Sequence, residues 1–133
     1  MSAATADDLA GIPLFEALEP DERASIAPWF ELENVSPGVN LTGEGASGYS
    51  FYVLREGAAT VTIDGSEVRT LSPGDFFGEL ALLGDGRRTA TVTTATPSQV
   101  LVLFGTEFRR LQQEHPEIAD RIESALRQVA QVA

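Results

Sequence analysis

Hydrophobic positions follow three regimes along the chain. From Asp7 to about Phe30 the rhythm is helical: "DDLAGIPLFEAL" sets Leu9, Ile12, Leu14, Phe15 and Leu18 on one apolar side, interrupted at Gly11 and Pro13. "EPDERASIAPWF" then begins afresh, with Pro20 near a helix N-terminus and acids in the first turn, where unpaired N–H groups and the helix dipole favour negative charge. From Val35 turn signals recur at Pro37-Gly38, Gly43 to Gly48, Glu56-Gly57, Asp64-Gly65, Pro73-Gly74, Gly84 to Gly86 and Pro97-Ser98. Between them lie short segments of strand character: "YSFYVL", "ATVTI", "EVRTL", "TATVTT" and "QVLVLF". Alternation in "ATVTID" predicts Val61 and Ile63 on one face and Thr60 and Thr62 on the other. Asp64-Gly65 predicts a tight hairpin, because such turns need the positive φ that glycine tolerates. From Thr106 the helical period returns through Phe108, Leu111, Ile118, Ile122, Leu126 and Val129, with a break at His115-Pro116. Glu117 with Arg121, and Glu123 with Arg127, stand at i,i+4 in the stabilising order. The plan is mainly β with flanking helices: helix, antiparallel sandwich or barrel, helix.

Composition narrows the class. The 133 residues, 43% of them hydrophobic, suit one domain with a single core and show no internal repeat. Twenty acids face nine basic residues, all arginine, for a net charge of -11. Such a surface repels phosphate backbones and anionic lipid, so nucleic acid and membrane insertion are not expected of this chain alone. The absence of cysteine excludes disulfides, thiolate metal sites and cysteine nucleophiles, and suits a reducing cytoplasm. "MSAATADDLA" has neither the basic start nor the apolar core of an export signal. No apolar run approaches the roughly 20 residues that span a bilayer.

Candidate chemistry gathers in "FFGELALLGDGRRTATV", Phe76 to Val92. "GELALL" reads as a glycine turn into a short helix whose first N–H groups lack intrahelical acceptors and can bind an anion. "RRTATV" brings one or two arginines to the start of the following strand, where a guanidinium fork can grip the same anion with paired hydrogen bonds. Glu79 is odd beside a phosphate unless the ligand also offers a hydroxyl, which a ribose 2′-hydroxyl would do. Phosphate and ribose hydroxyl close together describe a compact nucleotide. The same Glu79 and Arg88 could also form a structural ion pair with no ligand.

"GELALLGDGRRTATV" resembles the phosphate-binding cassette of cyclic nucleotide-binding domains, as in protein kinase A regulatory subunits, the catabolite activator protein and cyclic nucleotide-gated channels. "SPGVNLTGEGASGYSFYVLREGAATV" is similar to that family's first strands and glycine turns, and "TEFRRLQQEHPEI" to the helix after its β-roll, so the likeness runs from about Leu14 to Ile118. It implies an antiparallel, jelly-roll-like β-roll with an N-terminal helical segment and C-terminal helices. One domain over 1–133 then divides into a helical segment of about 7–34, a roll over 35–105 with its cassette at 78–90, and helices over 106–133. It further implies that Glu79 accepts from the ribose 2′-hydroxyl and that Arg88 pairs with the exocyclic phosphate oxygens. Gly78, Leu80 and Ala81 would give close backbone approach and N–H donors, Thr89 a backbone or hydroxyl donor, and Val61 a flank for the base. Leu82 would be a hinge residue packing on Phe108; for both, ordinary core packing is the plain alternative. Arg87 stands where many members have proline, and its expected role is a solvated surface charge. The turn "GEGASGY" lacks some of the family's usual acids.

The implied function is a cyclic nucleotide sensor that repositions its C-terminal helices, with cyclic AMP the first candidate ligand and cyclic GMP left open by Thr89. No cofactor is implied. The implied partners are the nucleotide, an effector domain (fused or separate) reached through the C-terminal helices, and a second copy through the apolar stripe of "IADRIESALRQVAQVA". The rival is a β-roll that has lost nucleotide regulation and serves as an interaction or dimerisation scaffold. A metal-dependent enzyme has little support, since His115 is the sole histidine and no base is placed to activate a serine.

Overall fold

The computed structural model of the protein describes residues 2–42, 50–78 and 90–129. The N-terminal region is a run of short helical pieces, as its broken periodicity predicts. A brief strand β1 (Ser2–Ala3) leads to α1 (Ala6–Leu9), a 3-10 turn (Pro13–Ala17), α2 (Pro20–Ile26) and a second 3-10 turn (Ala27–Trp29). Each piece is closed locally. The Thr5 amide donates to Asp8 Oδ2 at 2.8 Å and the Glu19 amide to Glu22 Oε1 at 2.9 Å, which satisfies helix-start donors. The Arg23 guanidinium donates to the carbonyls of Phe15 and Leu18 at 3.2 and 2.7 Å, sealing the end of the first 3-10 turn.

Eight further strands follow: β2 (Glu31–Val35), β3 (Asn40–Thr42), β4 (Ser50–Glu56), β5 (Ala59–Ile63), β6 (Ser66–Leu71), β7 (Phe76–Phe77), β8 (Thr91–Thr94) and β9 (Ser98–Phe104). They form two antiparallel sheets, ordered β1-β2-β9-β4-β7 and β3-β8-β5-β6. Strands thus occur inside the segment of about 7–34 read as helical, where β2 begins at Glu31, and before it, at β1. "ELENV" has little strand character of its own; it is a strand because β9 pairs with all five of its residues and β1 covers its outer end.

The predicted hairpin forms between β5 and β6. Asp64 and Gly65 both have positive φ, 52° and 77°, the signature of a type I′ turn. Val61 is buried as its alternation predicts, but Ile63 is 39% exposed. Ile63 lies at the end of the ladder opposite Ser66, which is itself exposed, so nothing apolar meets it across the pair. Just before it, Val61 faces Arg69 while Thr62 faces Glu67; the intervening Val68 is bulged out and half exposed.

β4 and β9 are buried on both faces. Phe51, Val53, Leu101 and Leu103 point to the helices, whereas Tyr52, Leu54, Val100 and Val102 point between the sheets. The helical core joins Leu9, Phe15, Ile26 and Phe30 from the N-terminal region to residues of the two C-terminal helices, α3 (Gly105–Glu114) and α4 (Pro116–Val129). The N-terminal pieces and the two C-terminal helices therefore pack against one face of the five-stranded sheet. Arg121, expected to pair along its helix with Glu117, instead reaches across to Glu22 on α2.

Candidate functional site

Of the cassette expected at 78–90, the structure describes the two ends. β7 enters with Phe76 and Phe77, which the pleat sends to opposite faces. Phe76 packs on the helical core, 5.7 Å from the Phe51 ring, while Phe77 is buried between the sheets. Gly78 follows with φ of 79°, a conformation that strains any residue with a Cβ, so the family's glycine meets a local backbone requirement here. The chain returns at Ala90 and enters β8. Glu79, Leu80, Ala81, Leu82, Arg87, Arg88 and Thr89 lie outside the described residues.

The two described ends border one cluster. Phe77 and Ala90 both belong to the apolar cluster between the sheets, and so does Val61, whose neighbour across the ladder is Val92. Val61 and the entrance and exit of the cassette thus share one apolar floor. Tyr52 adds to it: its ring stacks on Phe77 with centroids 4.9 Å apart and planes 7° from parallel, and its hydroxyl donates to the Leu41 carbonyl at 3.4 Å. Sequence reading passed over Tyr52. Its signal is the "FYV" run, where a tyrosine occupies an inward position of a strand that the "FF" pair adjoins.

Phe108 is placed elsewhere. It is 2% exposed within the helical core, with Leu111, Ile118, Ile122 and Leu126, and the five-stranded sheet separates that core from the cluster around Val61. Near it, Trp29 is held between α3 and the His115 corner, with the Arg110 guanidinium 5.1 Å from its ring and the His115 ring 6.2 Å away, edge-on. Several charges on this side form ion pairs within the protein. Arg55 meets Asp8 at 3.6 Å and Glu56 at 3.2 Å, and Arg110 meets Glu107 at 3.3 Å. Among the described residues no group of three or more His, Cys, Asp or Glu side chains could hold a metal ion, and no helix is long and apolar enough to cross a membrane.

A two-sheet antiparallel roll with helices against the outer face of one sheet, and a glycine at positive φ where β7 ends, defines a class. The chain belongs to the cyclic nucleotide-binding domain family, whose family model matches residues 32–115. It is 43% identical over 107 residues to a cAMP-dependent protein kinase regulatory subunit of Colletotrichum orbiculare, covering 79% of this chain and 27% of that protein. Among solved structures, it resembles the N-terminal domain of a transcriptional regulator from Streptomyces coelicolor A3(2), with a TM-score of 0.79 and 27% identity over 94% of this chain and 91% of that one. The regulatory domain of Toxoplasma gondii PKA, crystallised with cAMP, superposes with a TM-score of 0.74 and 26% identity, over 90% of this chain and 47% of that one. The chain spans about a quarter of the length of the curated relatives it matches.

Proposed function

We propose that this chain is a cyclic AMP-binding sensor domain that acts by regulation rather than catalysis. The observation that carries the reading is the juxtaposition at the cassette. The segment that contains Glu79 and Arg88 is bounded by Gly78, where φ is positive, and by Ala90, and both Ala90 and Phe77 beside Gly78 belong to the apolar floor that includes Val61. Relatives support cyclic AMP as the ligand: one is a cAMP-dependent kinase regulatory subunit, and a structural neighbour was crystallised with cAMP.

In this reading Glu79 accepts a hydrogen bond from the ribose 2′-hydroxyl, which 5′-AMP also carries, while Arg88 neutralises the cyclic phosphate. Backbone N–H groups from Gly78, Leu80 and Ala81 complete the anion site, Thr89 donates beside it, and Val61 lies against the base. Leu82 is the element that carries the change outward, to Phe108 and so to α3 and α4. The C-terminal helices are the output, acting on a fused or separate effector domain or on a second copy. Such a coupling is worth about 1–3 kcal/mol, enough to bias helices between two positions. The lack of cysteine suits a cytoplasmic setting.

Calorimetric titration with cyclic AMP, cyclic GMP and 5′-AMP tests the proposal. One cyclic nucleotide is expected to bind at micromolar or better affinity and 5′-AMP much more weakly, since an opened, doubly charged phosphate no longer fits a site shaped for the ring. Each charge-assisted hydrogen bond contributes about 1.5–3 kcal/mol, so Arg88→Ala and Glu79→Ala should each weaken binding at least about tenfold without unfolding the chain. No heat and no thermal shift with any of the three would leave the scaffold reading, with Glu79 and Arg88 an ion pair.

A further inference from the structure

Resting on the cyclic nucleotide reading, we propose that Tyr52 is a positioning residue for the ligand-binding cassette, acting through its stack on Phe77. β7 is only two residues long, and its ladder to β4 has just the pairs Tyr52 with Phe77 and Val53 with Phe76. The Leu54 amide donates to the Asp75 carbonyl at 2.8 Å and the Gly74 amide to the Leu54 carbonyl at 2.7 Å, which fastens the entry side of β7. Towards Gly78 the ladder ends after Phe77, and side-chain contacts add to what fixes the departure. The departure point matters here, because Gly78 is the first residue of the cassette and its positive φ sets the direction in which the backbone leaves β7.

Tyr52 restrains that departure from two sides. Its ring lies nearly flat on Phe77, 7° from parallel, so the Phe77 ring cannot turn without breaking a broad contact, and the Phe77 side chain fixes the backbone that leads into Gly78. Its hydroxyl reaches the Leu41 carbonyl on β3, a strand of the opposite sheet, and so ties the stack across the roll. Tyr52 and Ala90 pack on the same apolar cluster, so the cluster that Tyr52 covers borders both the entrance and the exit of the cassette. An aliphatic side chain could fill this volume but could not hold a ring face at a set angle. The stack, more than the hydroxyl, is the operative feature, since 3.4 Å is long for a hydroxyl hydrogen bond.

The test compares Tyr52→Leu, Tyr52→Phe and Val100→Ala in the full chain by calorimetric titration with cyclic AMP, alongside thermal unfolding. Val100 is a fully buried member of the same cluster on β9, paired with Leu54 rather than with Tyr52 or Val61, so it reports what loss of core packing away from the stack does to affinity. Tyr52→Leu is expected to bind at least tenfold more weakly. Tyr52→Phe, which keeps the stack, should remain within threefold of the parent, as should Val100→Ala despite a lower melting temperature. Should Tyr52→Leu not fold, Phe77→Leu breaks the same stack from the other side and is read by the same criterion. The inference is overturned if the leucine variant binds within threefold of the parent, if Val100→Ala loses as much affinity, or if phenylalanine rescues nothing. A parent chain that binds no cyclic nucleotide brings down the functional reading itself, a result distinct from these and one that takes this inference with it.

Discussion

At Gly57 the backbone runs at φ of 98°, and a Cβ built there would collide with Ser98 Oγ and lie 2.7 Å from the Pro97 carbonyl oxygen. Gly65 has a similar φ of 77°, but nothing lies within 4 Å of its Cβ position. Gly65→Ala should therefore show backbone strain alone, a loss of about 1 kcal/mol. Gly57→Ala adds a steric conflict with main-chain atoms and should lose about 2–4 kcal/mol. Paired denaturant titrations of the two variants separate the contributions, and equal losses would mean that the Pro97-Ser98 segment yields freely. Both glycines stand in turns readable from the sequence, as "EG" and "DG". The difference between them was not readable, because the atoms that crowd Gly57 come from about forty residues further along the chain.

Elements depend on such remote partners to differing degrees. The β5–β6 hairpin is nearly self-sufficient: its turn residues, its length and the inward position of Val61 were all legible locally. β3 is the opposite case. The Pro37-Gly38 turn that leads into it is closed by Thr94 on β8, whose hydroxyl donates to the Ser36 carbonyl at 2.7 Å and accepts from the Val39 amide at 2.9 Å. Thr94 is 2% exposed, so Thr94→Val would bury a methyl group where two hydrogen bonds were made. A loss of about 1–2 kcal/mol is expected in chemical denaturation. Faster hydrogen exchange should be confined to the Gly38 and Val39 amides; protection lost across the whole sheet instead would show β3 to be more than a locally fastened strand. A threonine in "TATVTT" reads as a good strand residue and carries no hint of that second duty.

Across the molecule, the N-terminal pieces and the C-terminal helices form one core on the outer face of the five-stranded sheet, and the Glu22–Arg121 ion pair joins the same two regions. That pair is half exposed on the arginine side, so its contribution is small beside the shared apolar burial of Phe15, Phe30, Leu111 and Ile122. Trp29, the sole tryptophan, lies at the junction between Arg110 and His115. If ligand binding repositions α3 and α4, tryptophan emission should shift on saturation with cyclic AMP, with a midpoint equal to the calorimetric Kd. Emission that stays constant while calorimetry records binding would separate ligand recognition from helix movement and leave only the former.

By itself the sequence determined what is local: the succession of helical segment, short strands and helices, the tight hairpin at Asp64-Gly65, the helix break at His115-Pro116, the strong acidity, and the spacing of Gly78, Glu79 and Arg88 that marks the family. Each depends on residues within about a dozen positions of one another, where periodicity, turn chemistry and motif spacing act directly. Tertiary structure decided the rest. It made a strand of "ELENV" by pairing it on both sides, and it buried both faces of "QVLVLF", which the pattern alone could not divide between two cores. It sent Arg121 to Glu22 rather than along its own helix, and it placed Tyr52 flat on Phe77 beside the cassette's entrance. These outcomes depend on which remote surface arrives opposite a residue, and that is set by how the whole chain packs its apolar faces, a quantity no local window contains.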